Sequence, residues 1–203
     1  MVKNQTPYPV SIRGKLTEPP SRALWLIKWL MALPHYIILI VLMIASVVVS
    51  TIAFFSILFT GKYPKGLFNF NVGVLRWFWR VGFYGYEALG TDKYPPFSLA
   101  PDDSYPADLK VKYPKRLSRG LVLVKWWLLA IPHYLIVSVF RGSEAFGLIF
   151  ISSIIAAIVL LFTGKYPKDI FKLVVGMNRW AYRVSAYAML MTDRYPPFKL
   201  WDD

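Results

Sequence analysis

One unit of sequence occurs twice in this chain, and this repeat limits the possible folds more than any other feature. The segment Leu58–Lys65 recurs without change at Leu161–Lys168. The segment Thr91–Phe97 recurs with one substitution at Thr192–Phe198. Two copies of one sequence unit are expected to adopt the same architecture twice and to pack against each other.

The segment between the two copies is rich in Pro and Asp and is too polar to cross a membrane. It sets the boundaries of the units, which we place at 1–97 for unit one, 98–114 for the linker and 115–203 for unit two.

Composition indicates that lipid is the solvent for much of the chain. Hydrophobic residues make up 56% of the sequence and charged residues only 17%, an unusual balance for a soluble domain. Residues 36–59 contain no charged side chain and would form a helix of about 36 Å, enough to cross a hydrocarbon core of about 30 Å. A second apolar run, 121–163, is interrupted by Arg-Gly-Ser-Glu at 141–144, and the sequence leaves open whether this break is a turn.

These features predict an all-α fold, namely a polytopic helical membrane protein built of two tandem repeats. Each repeat has an interfacial leading helix, an apolar transmembrane segment, a Gly-Lys-Tyr-Pro turn and an amphipathic helix rich in aromatic residues and Arg. Pro34 and Pro132 suit the first turn of the transmembrane helices, and the Gly of each turn is a helix stop signal. The leading helices are expected at 22–33 and 119–131, and the final helices at 67–90 and 169–191.

If each unit crosses the membrane twice, both termini and the linker share one side, and both Gly-Lys-Tyr-Pro turns share the other. The side of the termini then carries more Lys and Arg, which predicts a multi-pass protein of a prokaryotic cell membrane with cytoplasmic termini. The alternative topology folds each apolar run into a hairpin that returns to its own side.

Two arginines recur at helical spacing in the final helix of each unit. Arg76 and Arg80 lie on one predicted stripe with Asn69, Gly73, Tyr84 and Glu87, and unit two keeps Lys172, Gly176, Arg179, Arg183 and Tyr187. One interpretation is a paired site for lipid phosphate or for carboxylates of a partner, because guanidinium groups bind such anions bidentately. The other is structural: the helices lie in the interface, or Glu87 neutralises the first pair. The candidate site residues are Arg76, Arg80, Arg179, Arg183, Tyr84 and Tyr187.

The chain has two histidines, and His35 and His133 occupy equivalent positions in the repeat. A twofold arrangement of the units would bring both imidazoles together as in a bis-histidine haem. The simpler interpretation is a hydrogen-bonded histidine beside a helix-starting proline, so we expect no cofactor and no metal.

A further set of residues has the composition of membrane–water interfaces, where Trp, Tyr and Lys are enriched. We expect interfacial contacts from Trp29, Lys62, Tyr63, Trp126, Lys165 and Tyr166.

The sequence offers no candidate catalytic residues. It contains no cysteine, which removes thiolate catalysis and Cys-ligated metals, and no serine, histidine and carboxylate constellation can be assembled. We therefore expect a protein that is not an enzyme. The net charge of +13 lies largely beside the apolar segments, which favours anionic lipid over nucleic acid as a partner.

The combination of Pro-His-Tyr, Phe-Thr-Gly-Lys-Tyr-Pro, a paired Arg and Tyr-Pro-Pro-Phe resembles a family of small prokaryotic membrane proteins known only as a domain of unknown function, DUF4389. The resemblance covers nearly the whole chain in two copies. It implies membrane residence and prokaryotic origin, and it brings no activity and no site residues.

Our first functional hypothesis is a non-enzymatic scaffold or accessory subunit of a larger membrane complex, which contacts anionic lipid or other membrane-protein subunits through the Arg stripes. The alternatives are a small transporter or channel with an anion pathway between the repeats, and a haem-carrying electron-transfer protein.

Overall fold

A computed structural model describes residues 7–16, 20–142 and 146–201. These residues are mostly helical. Strands β1 and β2 are Val10–Gly14 and Ala107–Val111, and the helices are α1 Lys28–Met31, α2 Leu33–Thr60, α3 Lys65–Tyr84, α4 Leu121–Val124, α5 Ile131–Arg141, α6 Leu148–Thr163 and α7 Lys168–Ala188. A 3-10 helix at Leu24–Leu26 precedes α1, and a π-helix at Lys125–Leu129 follows α4.

Unit one forms an antiparallel hairpin of α2 and α3. Pro34 lies in the first turn of α2, as predicted, and α2 ends at Gly61, whose φ of 71° is the left-handed conformation that favours glycine. Midway along α2, the Ser46 hydroxyl donates to Asn71 Oδ1 of α3 at 2.6 Å. Near the start of α2, Trp77 Nε1 of α3 donates to His35 Nδ1, so α3 runs back along α2.

Unit two repeats this hairpin with a broken apolar segment. Pro34 and Pro132 are 98 positions apart, whereas Thr60 and Thr163 are 103 apart, so unit two has five additional residues within its apolar run. These residues fall at the break, where α5 ends at Arg141 and α6 begins at Leu148. Part of the predicted break, including Glu144, lies outside the described residues.

One described helix, α2, is long and apolar enough to cross a membrane. Only 17% of its most apolar stretch is buried in the protein. The segments Leu121–Leu129 and Ile131–Arg141 pass the same test as a pair, with a bend of 43° between them. The membrane prediction is therefore supported for one helix, or for two if the bent pair is counted.

The prediction of an all-α fold is wrong in one respect, because β1 and β2 form a two-stranded antiparallel sheet. Strand β2 lies within the predicted linker. The strands are copies of each other, since Tyr8-Pro9 and Ile12-Arg13 recur 97 positions later as Tyr-Pro and Leu-Lys. Ile12 pairs with Leu109, its own equivalent, so a local twofold axis passes through this pair.

Each Gly-Lys-Tyr-Pro turn lies against the other unit. Leu117 N–H donates to Gly61 O at 2.9 Å, and the Tyr113 hydroxyl donates to Tyr63 O. In the second turn, a Cβ added to Gly164 would lie 2.5 Å from a guanidinium nitrogen of Arg22. The predicted arrangement with the linker on one side and both turns on the other is therefore wrong, because the first turn contacts the end of the linker directly.

The alternative hairpin topology does not describe unit one either. Helix α2 continues without a break through its whole apolar segment, so this run does not fold back on itself.

Candidate functional site

In unit one, a buried lysine holds the closing Thr-Asp-Lys-Tyr-Pro-Pro-Phe segment against the start of the unit. The Lys28 ammonium donates to Thr91 O at 2.7 Å and lies 2.9 Å from Asp92 Oδ1. The other oxygen of Asp92 accepts from Ser21 N–H, and the ring of Tyr84 lies beneath the ammonium at 4.9 Å. We call this arrangement the lysine clasp.

Unit two contains the same clasp at the equivalent positions. Lys125 lies 2.7 Å from Asp193 Oδ1 and donates to Thr192 O at 3.1 Å. Asp193 accepts from Ser118 N–H, and Tyr187 lies beneath the ammonium. Recurrence of every contact explains why the two lysines and the two Thr-Asp pairs recur in the sequence.

In the first clasp, the buried Lys28 ammonium is paired with the Asp92 carboxylate. The Lys28 side chain is 0% exposed, and loss of hydration lowers its pKa although Asp92 raises it. Burial of the Asp92 carboxyl raises its pKa, but hydrogen bonds from Lys28 and Ser21 outweigh this effect, so the net pKa is lowered. The charges therefore stabilise contact between chain segments.

Each histidine lies inside an aromatic cluster of its own unit. Trp77 Nε1 donates to His35 Nδ1 at 3.0 Å, which places the proton of the neutral ring on Nε2. Phe97 stacks on the imidazole at 4.0 Å, and Tyr94 tilts against it.

His133 has the same neighbours in unit two. It accepts from Trp180 at 3.0 Å, and Phe198 and Tyr195 cover its ring. The histidines thus lie in two separate clusters, whereas a bis-histidine haem would need both at one point.

The arginine pair of unit one contacts the protein itself. Arg76 Nε donates to Asp108 Oδ1 at 2.9 Å, and its Nη1 donates to Leu99 O at 2.7 Å. Arg80 donates to Ser98 O at 3.3 Å and lies 3.7 Å from the same Asp108 oxygen. Both guanidinium groups are buried, and they hold the segment that follows Phe97.

The structural interpretation that Glu87 neutralises this pair is wrong. Helix α3 ends at Tyr84, so Glu87 lies beyond the predicted stripe, and Asp108 of the predicted linker supplies the carboxylate.

The arginine pair of unit two holds the equivalent carbonyls. Arg179 donates to Leu200 O at 2.9 Å and Arg183 donates to Lys199 O at 3.4 Å. The Arg183 guanidinium also lies over the ring of Tyr8, which precedes β1. The position equivalent to Asp108 is Ser11, so the repeat does not preserve this carboxylate at its own position, whereas the carbonyl contacts occur in both units.

Glu87 takes part in a cluster between the units. Its carboxylate lies 3.5 Å from Arg141 Nη1 and accepts from the Tyr182 hydroxyl at 3.4 Å. The cluster borders a groove of about 500 Å³, whose walls include Met43 of α2 and Phe150 of α6. Unit two has no equivalent of Glu87, so this cluster occurs once among the described residues.

The predicted interfacial residues divide into two groups. Trp29, Trp126, Lys62 and Lys165 are exposed. Tyr63 and Tyr166 are buried, where Tyr63 accepts from Asn71 and Tyr166 donates to Ala88 O. These two tyrosines therefore contact the protein, and so do Tyr84 and Tyr187 beneath the lysines.

Sequence reasoning missed the clasp and the sheet. The signal for the clasp was present, because a lysine and a Thr-Asp pair recur together. The signal for the sheet was the recurring Tyr-Pro followed by an alternating apolar residue, at the spacing of 97 that also relates Ser21 to Ser118.

Two segments of the chain, 22–98 and 123–199, match the model of a family described as Domain of unknown function (DUF4389). Neither a curated protein nor a solved structure matches the chain.

Proposed function

Since the chain belongs to the family Domain of unknown function (DUF4389), in two tandem copies, we propose that it is a non-enzymatic integral membrane protein that serves as a scaffold or accessory subunit in a prokaryotic cell membrane. The observation that carries this proposal is α2. It is free of charge through its length, yet most of its apolar side chains face away from the protein. A helix that is apolar all round is stable where lipid surrounds it.

The contacts of the buried polar groups support the proposal that the protein is not an enzyme. Lys28 and Lys125 donate to closing segments, and the two histidines pack against the Phe of the same segments. Within the described residues, no three His, Asp or Glu side chains lie together as metal ligands. Buried groups that hold chain segments together in this way are poorly placed for acid–base work on a substrate.

We assign contact with anionic lipid to exposed lysines. The guanidinium groups of Arg76 and Arg80 are engaged by Asp108 and by backbone carbonyls. Lys62 and Lys165 are exposed in the turns that follow the apolar helices. A lysine at this position is expected to reach phosphate headgroups while the adjoining helix stays in hydrocarbon.

The test is purification from native membrane in mild detergent, followed by native mass spectrometry. We expect retained anionic lipid or a partner subunit, and we expect the Lys62→Gln/Lys165→Gln variant to retain less lipid. Lys110→Gln, which removes one exposed charge from β2, is the control and should retain the wild-type amount. A protein released from membranes by alkaline carbonate, or a lipid-free monomer, contradicts the proposal.

A further inference from the structure

Helices α2, α5 and α6 form one apolar surface. Helix α2 packs on α3, α5 and α6 pack on α7, and α2 and α6 line opposite walls of one groove. Their outward sides expose large apolar residues along their whole length, for example Ile37, Ile44 and Phe55 of α2 and Ile155 of α6. We call α2, α5 and α6 the apolar layer.

The sheet lies on the opposite side of α3. Asn71 and Arg76 are five residues apart, which places them about 140° apart around the helix. Asn71 contacts Ser46 and Ser50 of α2, whereas Arg76 contacts Asp108 of β2. Strand β1 packs on α7. We call β1 and β2 the polar layer.

The polar layer lies level with the middle of α2. Before β2, the Tyr105 hydroxyl donates to Arg80 O, and after β2, Tyr113 donates to Tyr63 O. The strand therefore runs alongside α3 from one end towards the other. Lys110 lies between these contacts, and its side chain is 64% exposed.

An upright α2 would consequently place the polar layer within the bilayer. Lys110 would lie near the depth of Ser46, close to the midplane, where an exposed charge is strongly unfavourable. The open edges of a two-stranded sheet are also excluded from hydrocarbon, because their backbone groups have no partners there.

Basic residues flank the apolar layer at both of its ends. Lys62 and Arg116 lie at the end of α2 where Leu117 contacts Gly61. Arg22 lies before the start of α2, beside Gly164 and Lys165 of the second turn. Lys and Arg favour the cytoplasmic side and anionic headgroups, so this distribution fits one membrane surface better than two.

We propose that the apolar layer inserts into a single leaflet rich in anionic lipid, with the polar layer in water on the same side, so that α2 begins and ends at one face of the membrane. Amphipathic surfaces bind membranes in this way when apolar area and basic residues act together. The inference rests on the proposed function and specifies how the protein occupies the membrane.

The first test is the sidedness of the two ends of α2. The chain contains no cysteine, so Ala23→Cys, Lys62→Cys and Lys110→Cys each introduce one thiol at an exposed position. A membrane-impermeant maleimide should label all three thiols in vesicles of the same orientation, whether that orientation is right-side-out or inverted. Labelling of Ala23→Cys and Lys62→Cys from opposite faces overturns the inference and leaves membrane residence intact.

The second test measures depth along α2 in the purified protein reconstituted into phosphatidylcholine–phosphatidylglycerol vesicles. Spin labels at Ile37→Cys, Ile44→Cys and Phe55→Cys should show similar immersion depths, from their relative accessibility to oxygen and a nickel chelate. A maximum at position 44 with shallow ends indicates a crossing helix and overturns the inference. Failure of the protein to bind these vesicles contradicts the proposed function instead.

Discussion

Unit one carries its apolar segment in one continuous helix, whereas unit two divides the same segment between α5 and α6. Unit one also receives a carboxylate, Asp108, where unit two has Ser11. The lysine clasp, the histidine cluster and the arginine–carbonyl contacts are the same in both. The contacts that recur define the architecture common to both units, and those that occur once distinguish the two units.

The largest expected effect comes from Asp108, whose equivalent position in unit two is Ser11. Asp108→Asn removes the charge that faces buried Arg76 and Arg80, and loss of one partner of a buried ion pair costs about 3–5 kcal/mol. Thermal unfolding in detergent, followed by tryptophan fluorescence, measures the loss. Ser11→Asn is the matched control at the equivalent exposed position, with an expected change within about 0.5 kcal/mol. Similar losses at both positions would contradict the asymmetry.

Removal of the carboxylate should destabilise the protein to the same extent in either lysine clasp. Asp92→Ala and Asp193→Ala each remove the carboxylate from a fully buried lysine, and we expect a loss of about 1.5–3 kcal/mol for each. The losses are smaller than at Asp108 because these carboxylates are partly exposed. The same unfolding measurement applies, and a loss in only one unit would show that the clasps are not equivalent.

Acid should reduce the contribution of the first clasp in the wild-type protein. The pKa of Asp92 is lowered from 3.8 in the folded protein, so its stabilising effect is present above about pH 3.8 and is lost as the pH falls through the folded-state value. The difference in stability between wild type and Asp92→Asn should therefore shrink between pH 5 and pH 2. A constant difference over this range would contradict the assignment.

Substitutions in the histidine clusters should cause a smaller loss of stability, which is again equal in the two units. Trp77→Phe and Trp180→Phe keep an aromatic ring but remove the hydrogen bond to the buried imidazole, and each should cost about 1 kcal/mol. Phe78→Leu, which changes a neighbouring partly buried residue without a side-chain hydrogen bond to histidine, controls for lost ring packing. Unequal effects at the two tryptophans would weaken the equivalence of the clusters.

The smallest expected effect lies at the cluster that occurs once. Glu87→Gln weakens an ion pair whose side chains are about one-third exposed, and such pairs contribute about 0.5 kcal/mol. Unfolding of Glu87→Gln should differ little from that of Arg141→Gln and of the double variant. A loss as large as that at Asp108 would show that the contact between the units depends on this pair.

The sequence predicted the elements that depend on local signals. Pro34 and Gly61 set the bounds of α2 as expected, and the repeat correctly indicated two copies of one unit. The arginine stripes were found, but their partners were not. Asp108 is far from Arg76 in sequence and belongs to a segment that composition marks as a polar linker, so only tertiary structure brings them together.

The sequence analysis did not predict the sheet, for a related reason. A strand of five residues has little periodicity of its own, and its stability depends on a partner strand almost a hundred residues away. The two-sided topology failed because the positive-inside rule assumes that successive segments alternate between sides, whereas here the first turn contacts the end of the linker.

The pairing of Ile12 with Leu109 has a consequence for the ancestry of the fold. Because each strand pairs with its own equivalent, a chain with a single unit would expose an edge that is complementary to a second copy of itself. Such a chain is expected to assemble as an isologous homodimer. Fusion of the two protomers would then free each half to diverge, and the Asp108 carboxylate and the five-residue insertion are changes that a strictly symmetrical dimer does not permit on one side only.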